Sequence, residues 1–295
     1  MSTGYRTHDV VVPGGVLRVG EWHPDAAGLP WLLVHGMTAS HRAWAWLADE
    51  DPRARLIAPD LRGRGRSNAV EGPTGMAVHA DDLAVVLDTL GIERVVVVGH
   101  SMGAFVAEVF ADRHADRVDR VVLVDGGLPL ALPEGMDPRD AVRHVLGPTA
   151  ERLHRRFADP AAYREFWRAH PALAGREDPL LDDYMAYDLV GREPELRPAT
   201  TYATVEEDSI DQNTGDAIAR ALERMPRPTV LLAAERGLVD EIPPLYADLD
   251  PLTVRYPRLR AERVSDTNHF SIVMSAAGAA RVAVAARRGE TSAES

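Results

Sequence analysis

The chain contains no cysteine and no lysine; all 33 of its Lys-or-Arg positions are arginine. The first absence excludes disulfides, thiolate zinc sites, iron–sulfur clusters and a cysteine nucleophile. The second excludes a lysine Schiff base and the lysine of a phosphate-binding P-loop. Positive charge is also outweighed, because 45 Asp and Glu leave a formal net charge of −12. Binding to a phosphate backbone needs a positive stripe, so nucleic acid is not an expected partner. Long apolar runs are missing as well. None reaches the roughly 20 residues that span a bilayer, so no membrane partner is expected. The opening Met1-Ser2-Thr3-Gly4-Tyr5-Arg6 has no apolar signal-peptide core, which makes the cytoplasm the expected location. What remains is ordinary globular composition, 45% hydrophobic and 26% charged over 295 residues. That suffices for one large α/β domain with an inserted cap.

Apolar stretches around Pro13-Gly14-Gly15, within Val10 to Trp22, read as a hairpin. Trp31-Leu32-Leu33-Val34, Arg55-Leu56-Ile57-Ala58, Arg94-Val95-Val96-Val97-Val98, Arg120-Val121-Val122-Leu123-Val124 and Thr229-Val230-Leu231-Leu232-Ala233 are continuous apolar runs. Such runs suit strands buried on both faces of a parallel sheet. Helical spacing intervenes at Met76 to Leu90 and Met102 to His114, so strands and helices alternate. A short strand near Ala261 to Val264 and a helix near Ala276 to Arg288 close the pattern. Between Leu128 and Gly215 there is no β-branched run. The spacing there predicts helices near residues 139–146, 150–157, 161–170 and 180–190. The expected organisation is therefore a core over 1–128, a helical cap over 129–215, and the rest of the core over 216–295 with a frayed tail.

Gly99-His100-Ser101-Met102-Gly103 follows the four-valine run and opens a helix, which is the context a G-x-S-x-G nucleophile elbow requires. A turn this tight puts its serine in an unfavourable backbone conformation and lifts the hydroxyl above the sheet. Glycines flank it because side chains there would strike neighbouring backbone. An earlier strand ends in His35-Gly36-Met37. The Met37 N–H can pair with that of Met102, the residue after the serine, as an oxyanion hole, each donor being worth about 3 kcal/mol of barrier.

These motifs, with Asp60-Leu61-Arg62-Gly63-Arg64-Gly65-Arg66-Ser67 and Asn268-His269-Phe270, make the chain resemble α/β-hydrolase-fold proteins from about Val10 to Arg288. The resemblance implies a mostly parallel sheet flanked by helices, a helical cap, no cofactor and no metal. It puts the general base at His269, after the last strand. A group that titrates near neutrality can take a serine proton and return it to the leaving group. His35, His100 and His114 lie where structural roles are expected. The acid has two candidates. Asp125 ends the strand after the elbow helix, as in certain haloalkane dehalogenases and zearalenone lactonases; Asp240 follows the strand after the cap, the commoner family location. Catalytic groups gather at strand carboxyl ends, which favours Asp125. The other should be a turn aspartate, and Glu235 is a weaker third. The Asp60–Ser67 stretch reads as structural, with Arg62 or Arg66 tying loops together. Cap aromatics (Phe157, Tyr163, Phe166, Trp167, Tyr184, Tyr187) and Met185 read mainly as packing, although the resemblance implies that the cap roofs the pocket and that some of them face substrate. Asp182-Asp183 and Glu206-Glu207-Asp208 read as a solvated face, with a substrate amine, as in aminopeptidase-like relatives, the alternative.

The expected activity is serine hydrolysis of a carboxylic ester or lactone, a small-molecule substrate, with Ser101, His269 and Asp125 as triad and Met37 and Met102 as oxyanion donors. The serine excludes epoxide hydrolases and haloalkane dehalogenases, which carry a carboxylate at the elbow. Cofactor-free haloperoxidase or perhydrolase action, C–C or amide hydrolysis, and a weakly catalytic receptor of the same fold remain open, as does homo-oligomerisation.

Overall fold

Four consecutive valines, Val95 to Val98, have no exposed surface, and they explain the architecture around them. Side chains alternate across a strand, so Val95 and Val97 enter one apolar cluster while Val96 and Val98 enter another. Both faces of the sheet must then be covered, as parallel sheets require.

The computed structural model describes residues 4–130, 151–225 and 227–287. Its strands are β1 (Arg6–Val12), β2 (Gly15–Trp22), β3 (Trp31–Val34), β4 (Leu56–Pro59), β5 (Val95–His100), β6 (Val118–Val124), β7 (Leu189–Val190), β8 (Arg197–Pro198), β9 (Thr229–Ala234) and β10 (Leu259–Val264). Its helices are α1 (Ala45–Glu50), α2 (Met76–Thr89), α3 (Met102–Arg113), α4 (Pro160–Arg168), α5 (Pro179–Asp188), α6 (Tyr202–Thr214), α7 (Asp216–Arg224), α8 (Asp250–Arg255) and α9 (Ala276–Arg287). An eight-stranded sheet runs in the order β1-β2-β4-β3-β5-β6-β9-β10. The β1–β2 and β2–β4 pairings are antiparallel and the others parallel. Leu83 and Leu87 of α2, Val106 and Phe110 of α3, and Leu222 of α7 fill one cluster. Leu47 of α1 and Val282 and Ala286 of α9 fill the other. Among the described residues no helix is long and apolar enough to cross a membrane.

The stretch between β6 and β9 departs most from expectation. The predicted helix over 139–146 lies outside the described residues, as does Ala150 of the next one. Residues 153–157 are not helical; Phe157 exchanges backbone hydrogen bonds with Leu196 at 2.8 and 3.0 Å. The cause is local. Asp159 caps α4 through the Ala162 N–H, and Pro160 opens that helix, so the chain enters it extended. The helix expected to run to residue 190 stops at Asp188, where Leu189–Val190 pairs antiparallel with Arg197–Pro198. The sequence reading also did not anticipate α6, α7 and α8.

Buried polar contacts fasten this stretch to the core. The Tyr187 hydroxyl donates to Asp60 at 2.7 Å, the Trp46 indole to Asp178 at 2.7 Å, and Asn268 to the Ala172 carbonyl at 3.0 Å. At the N-terminus of α2, the Gly75 and Met76 N–H groups donate to Asp208 and Asp211 of α6 at 2.7 and 2.6 Å. Carboxylates suit that position because the first helical N–H groups lack partners within the helix.

Candidate active site

Ser101 stands between β5 and α3 with φ 54° and ψ −123°, a left-handed φ that costs a non-glycine residue about 1–3 kcal/mol. Its surroundings enforce that geometry. A Cβ on Gly99 would come within 2.2 Å of the Gly103 carbonyl oxygen, and one on Gly103 within 2.1 Å of the Val34 oxygen. A Cβ on Gly126 would lie 2.2 Å from the Ser101 oxygen. The first two glycines are part of the sequence motif. The third, just past β6, has a role that the sequence alone did not reveal.

Asp125 follows directly on β6, is fully buried, and has φ 45°. Its carboxylate oxygens have separate partners: Oδ1 accepts from the Ala234 N–H at 3.0 Å, and Oδ2 lies 2.7 Å from His269 Nδ1. A carboxylate only accepts, so the imidazole carries its proton on Nδ1 and keeps the Nε2 lone pair free. Asp240 sits elsewhere. Its Oδ1 accepts from Arg236 Nε at 2.7 Å and Asn268 Nδ2 at 2.8 Å, and the arginine holds its carboxyl below the usual range. Glu235 accepts from the Asp266 N–H at 2.8 Å. The structure thus brings Asp125, and neither alternative, to His269.

His100 supports the imidazole from behind. The two rings lie 4.8 Å apart, and His100 Nε2 donates to the His269 carbonyl at 2.9 Å. Burial and the neighbouring His269 push the His100 pKa well below the usual value, so it stays neutral. His35 is also buried. It donates from Nδ1 to the Gly36 carbonyl and accepts the Leu61 N–H on Nε2, and burial lowers its pKa to about 4. Asn268 accepts the Phe270 and Ser271 N–H groups and so shapes the loop that carries His269.

Ser101, His269, Asp125, Met37 and Met102 line one cavity. Among the described residues, neither the Met37 nor the Met102 N–H donates to a protein group, and no hydrogen bond joins Ser101 to His269. The far wall comes from Tyr184 of α5 and from Ser209, Gln212 and Asn213 of α6. Of the aromatic residues read as packing, Tyr163 and Trp167 are buried in the apolar cluster, and Tyr184 lines the cavity. No group of three His, Asp or Glu side chains spaced for a metal occurs among the described residues.

The Asp60–Ser67 stretch is a buried frame. Asp60 accepts from His41, Arg66 and Tyr187; burial opposes its charge, but His41 and the nearby His35 outweigh it, so its carboxyl lies far below the usual range. Arg62 pairs with Asp82 and donates to the Glu71, Pro73 and Pro13 carbonyls. Asp208 corrects the solvated-face reading. It is fully buried and paired with Arg64 and His79; burial works against its charge, but these two partners outweigh it and hold its carboxyl well below the usual range. Glu207, Asp182 and Asp183 are exposed.

A strand–elbow–helix carrying a serine, an imidazole arriving after β10 and a buried carboxylate after β6 define a class. The chain belongs to the α/β-hydrolase fold family, whose model matches residues 30–272. It is 35% identical over 159 residues to lipase LipV of Mycobacterium tuberculosis (strain ATCC 25618 / H37Rv), an alignment covering 54% of this chain and 57% of that protein. It is 36% identical over 121 residues to 2-hydroxymuconate semialdehyde hydrolase of Pseudomonas sp. (strain CF600), covering 39% and 43%. The chain thus spans about half the length of these two curated relatives. Among solved structures, E-2-(acetamidomethylene)succinate hydrolase superposes with a TM-score of 0.77 at 20% identity, covering 96% of this chain and 98% of that one. At that identity the likeness concerns the fold.

Proposed function

We propose that this chain is a serine hydrolase that cleaves a carboxylic ester, lactones included, through an acyl-enzyme. One observation carries the reading: a serine on a strained elbow shares a cavity with an imidazole whose Nδ1 lies 2.7 Å from a fully buried carboxylate. His269 Nε2 takes the Ser101 proton as Oγ attacks the carbonyl carbon. The Met37 and Met102 N–H groups receive the oxyanion, and neither has a competing protein acceptor. His269 then protonates the departing alkoxide, and water reverses the sequence to free the acid. Asp125 fixes the tautomer and stabilises the imidazolium. The hydrogen bond from serine to base forms as substrate seats, because catalytic hydrogen bonds tighten in the productive complex.

Within 129–215, helices α5 and α6 act as the cap, roofing the cavity. The substrate is a small molecule, and the cytoplasm is the location. A second reading, hydrolysis of a C–C bond, draws on the likeness to 2-hydroxymuconate semialdehyde hydrolase. The test is a substrate panel of p-nitrophenyl esters, lactones and a β-diketone, run with wild type and Ser101→Ala. Ester or lactone turnover lost in the variant supports the proposal. Turnover of the diketone alone favours the second reading, and ester turnover that survives in Ser101→Ala refutes the mechanism.

A further inference from the structure

Arg64 is the one member of the Arg-Gly alternation whose partners lie at the reaction centre. Its side chain is completely buried. Nε donates to the Met37 carbonyl at 2.9 Å, Nη2 points at the Met102 sulfur at 3.7 Å, and Nη1 donates to the Arg62 carbonyl at 3.0 Å. One planar group therefore touches both residues whose N–H groups face the developing charge, although Met37 follows β3 and Met102 opens α3. The guanidinium is itself fixed. It pairs with Asp208 of α6, whose Oδ1 accepts the Gly75 N–H at 2.7 Å and whose oxygens each lie 3.1 Å from His79 Nε2.

We infer that Arg64 and Asp208 are positioning residues for the oxyanion site, a buried ion pair through which the inserted segment sets the register of the Met37 and Met102 backbone. The inference rests on the oxyanion role given to those two residues above. Three acceptors in different directions need a rigid planar fork, which a lysine ammonium cannot reproduce. An ion pair wholly out of water is a poor source of stability, since apolar pairs of similar volume often do as well. Orientation of the N–H donors is the property that an apolar pair would lose.

The test compares Arg64→Lys, the double variant Arg64→Met/Asp208→Leu, and Asp211→Asn as a control. Asp211 anchors the same helix to Met76 at 2.6 Å but has no contact with Met37 or Met102. The double variant removes both charges together, so no uncompensated ion is buried, and Arg64→Lys keeps a cation beside Asp208. Both should retain the wild-type circular dichroism spectrum. On a p-nitrophenyl ester each should lose about 100-fold in kcat with KM within threefold, the scale expected when reacting groups shift by about 1 Å. Fluorophosphonate labelling of Ser101 should slow in parallel, while Asp211→Asn keeps wild-type kcat. A folded double variant or Arg64→Lys with kcat within threefold of wild type overturns the inference. So does a loss confined to KM, or an equal kcat loss in Asp211→Asn. Wild type that fluorophosphonate does not label at Ser101 brings down the serine-hydrolase reading and this inference together. Labelled wild type with unaffected variants removes this inference alone.

Discussion

Asp125 and Asp240 give the same carboxyl group two different surroundings. One is sealed beneath His269 with each oxygen occupied; the other is partly exposed in a turn beside Arg236. Replacing Asp125 with Asn keeps the shape but offers the imidazole a donor where it needs an acceptor, so the wrong tautomer is favoured. We expect Asp125→Asn to lower kcat by about 10⁴-fold, the scale seen when a triad aspartate is so changed, and Asp240→Asn to stay within about threefold. Steady-state kinetics of the two variants decide the matter, and the reverse ranking would assign the acid to Asp240. At this scale the sequence was informative wherever a residue's chemistry depends on its immediate neighbours. Ser101 stood out that way, His269 did through the family resemblance and its place after the last strand, and Asp125 did through its place at a strand end. Arg64 and Asp208 did not. Their meaning lies in a pairing between residues 144 positions apart in the chain, and a single sequence does not distinguish a buried pair from two surface charges.

Helix α3, which begins at the elbow, carries an unusual passenger. Glu108 is completely buried, and burial pushes its carboxyl up to about 8, with Asp112 adding in the same direction and Thr229 opposing. An unfolded glutamate titrates near 4.3. Between those values the folded state holds a proton that the unfolded state releases. The stability due to the neutral acid is therefore full below about pH 4 and lost as pH rises toward 8, by about 1.4 kcal/mol per unit. Glu108→Gln should abolish that slope. Urea unfolding at pH 5 should find variant and wild type close, and at pH 8.5 the variant should be more stable by a few kcal/mol. Equal offsets at both pH values would show that Glu108 does not titrate in this way. Elements with strong periodicity or long buried runs, such as α2, β5 and β6, were legible in advance. Helix α6 was not, because residues 206–208, Glu-Glu-Asp, resemble a solvated surface although Asp208 turns inward. The end of α5 at Asp188 was set by a strand partner nine or ten residues further on, which helical spacing cannot show.

Across the whole molecule, the inserted segment is joined to the core at sites far apart. Besides the contacts of α6, Arg152 donates to the Thr38 carbonyl at 3.3 Å while pairing with Asp188, and Arg66 donates to the Leu189 carbonyl at 3.1 Å. Trp167 belongs to the same apolar cluster as Trp31 and Leu33 of β3. Such interlocking predicts one cooperative transition. Single-tryptophan variants that report from Trp167 and from Trp31 should give coincident midpoints in denaturant, the accepted sign of two-state unfolding. An earlier midpoint at Trp167 would reveal a segment that melts separately.

The bend at Ser101 has one more consequence. Its three tight clearances, at Gly99, Gly103 and Gly126, all constrain backbone, and none of them is set by the serine side chain. The scaffold thus dictates where a reactive group is presented while leaving its identity open. An exchange at that single position, serine for aspartate, would retain the bend and direct a carboxylate into the same cavity. The geometry of the elbow therefore resides in the glycines and backbone around position 101, and the side chain there is the replaceable part.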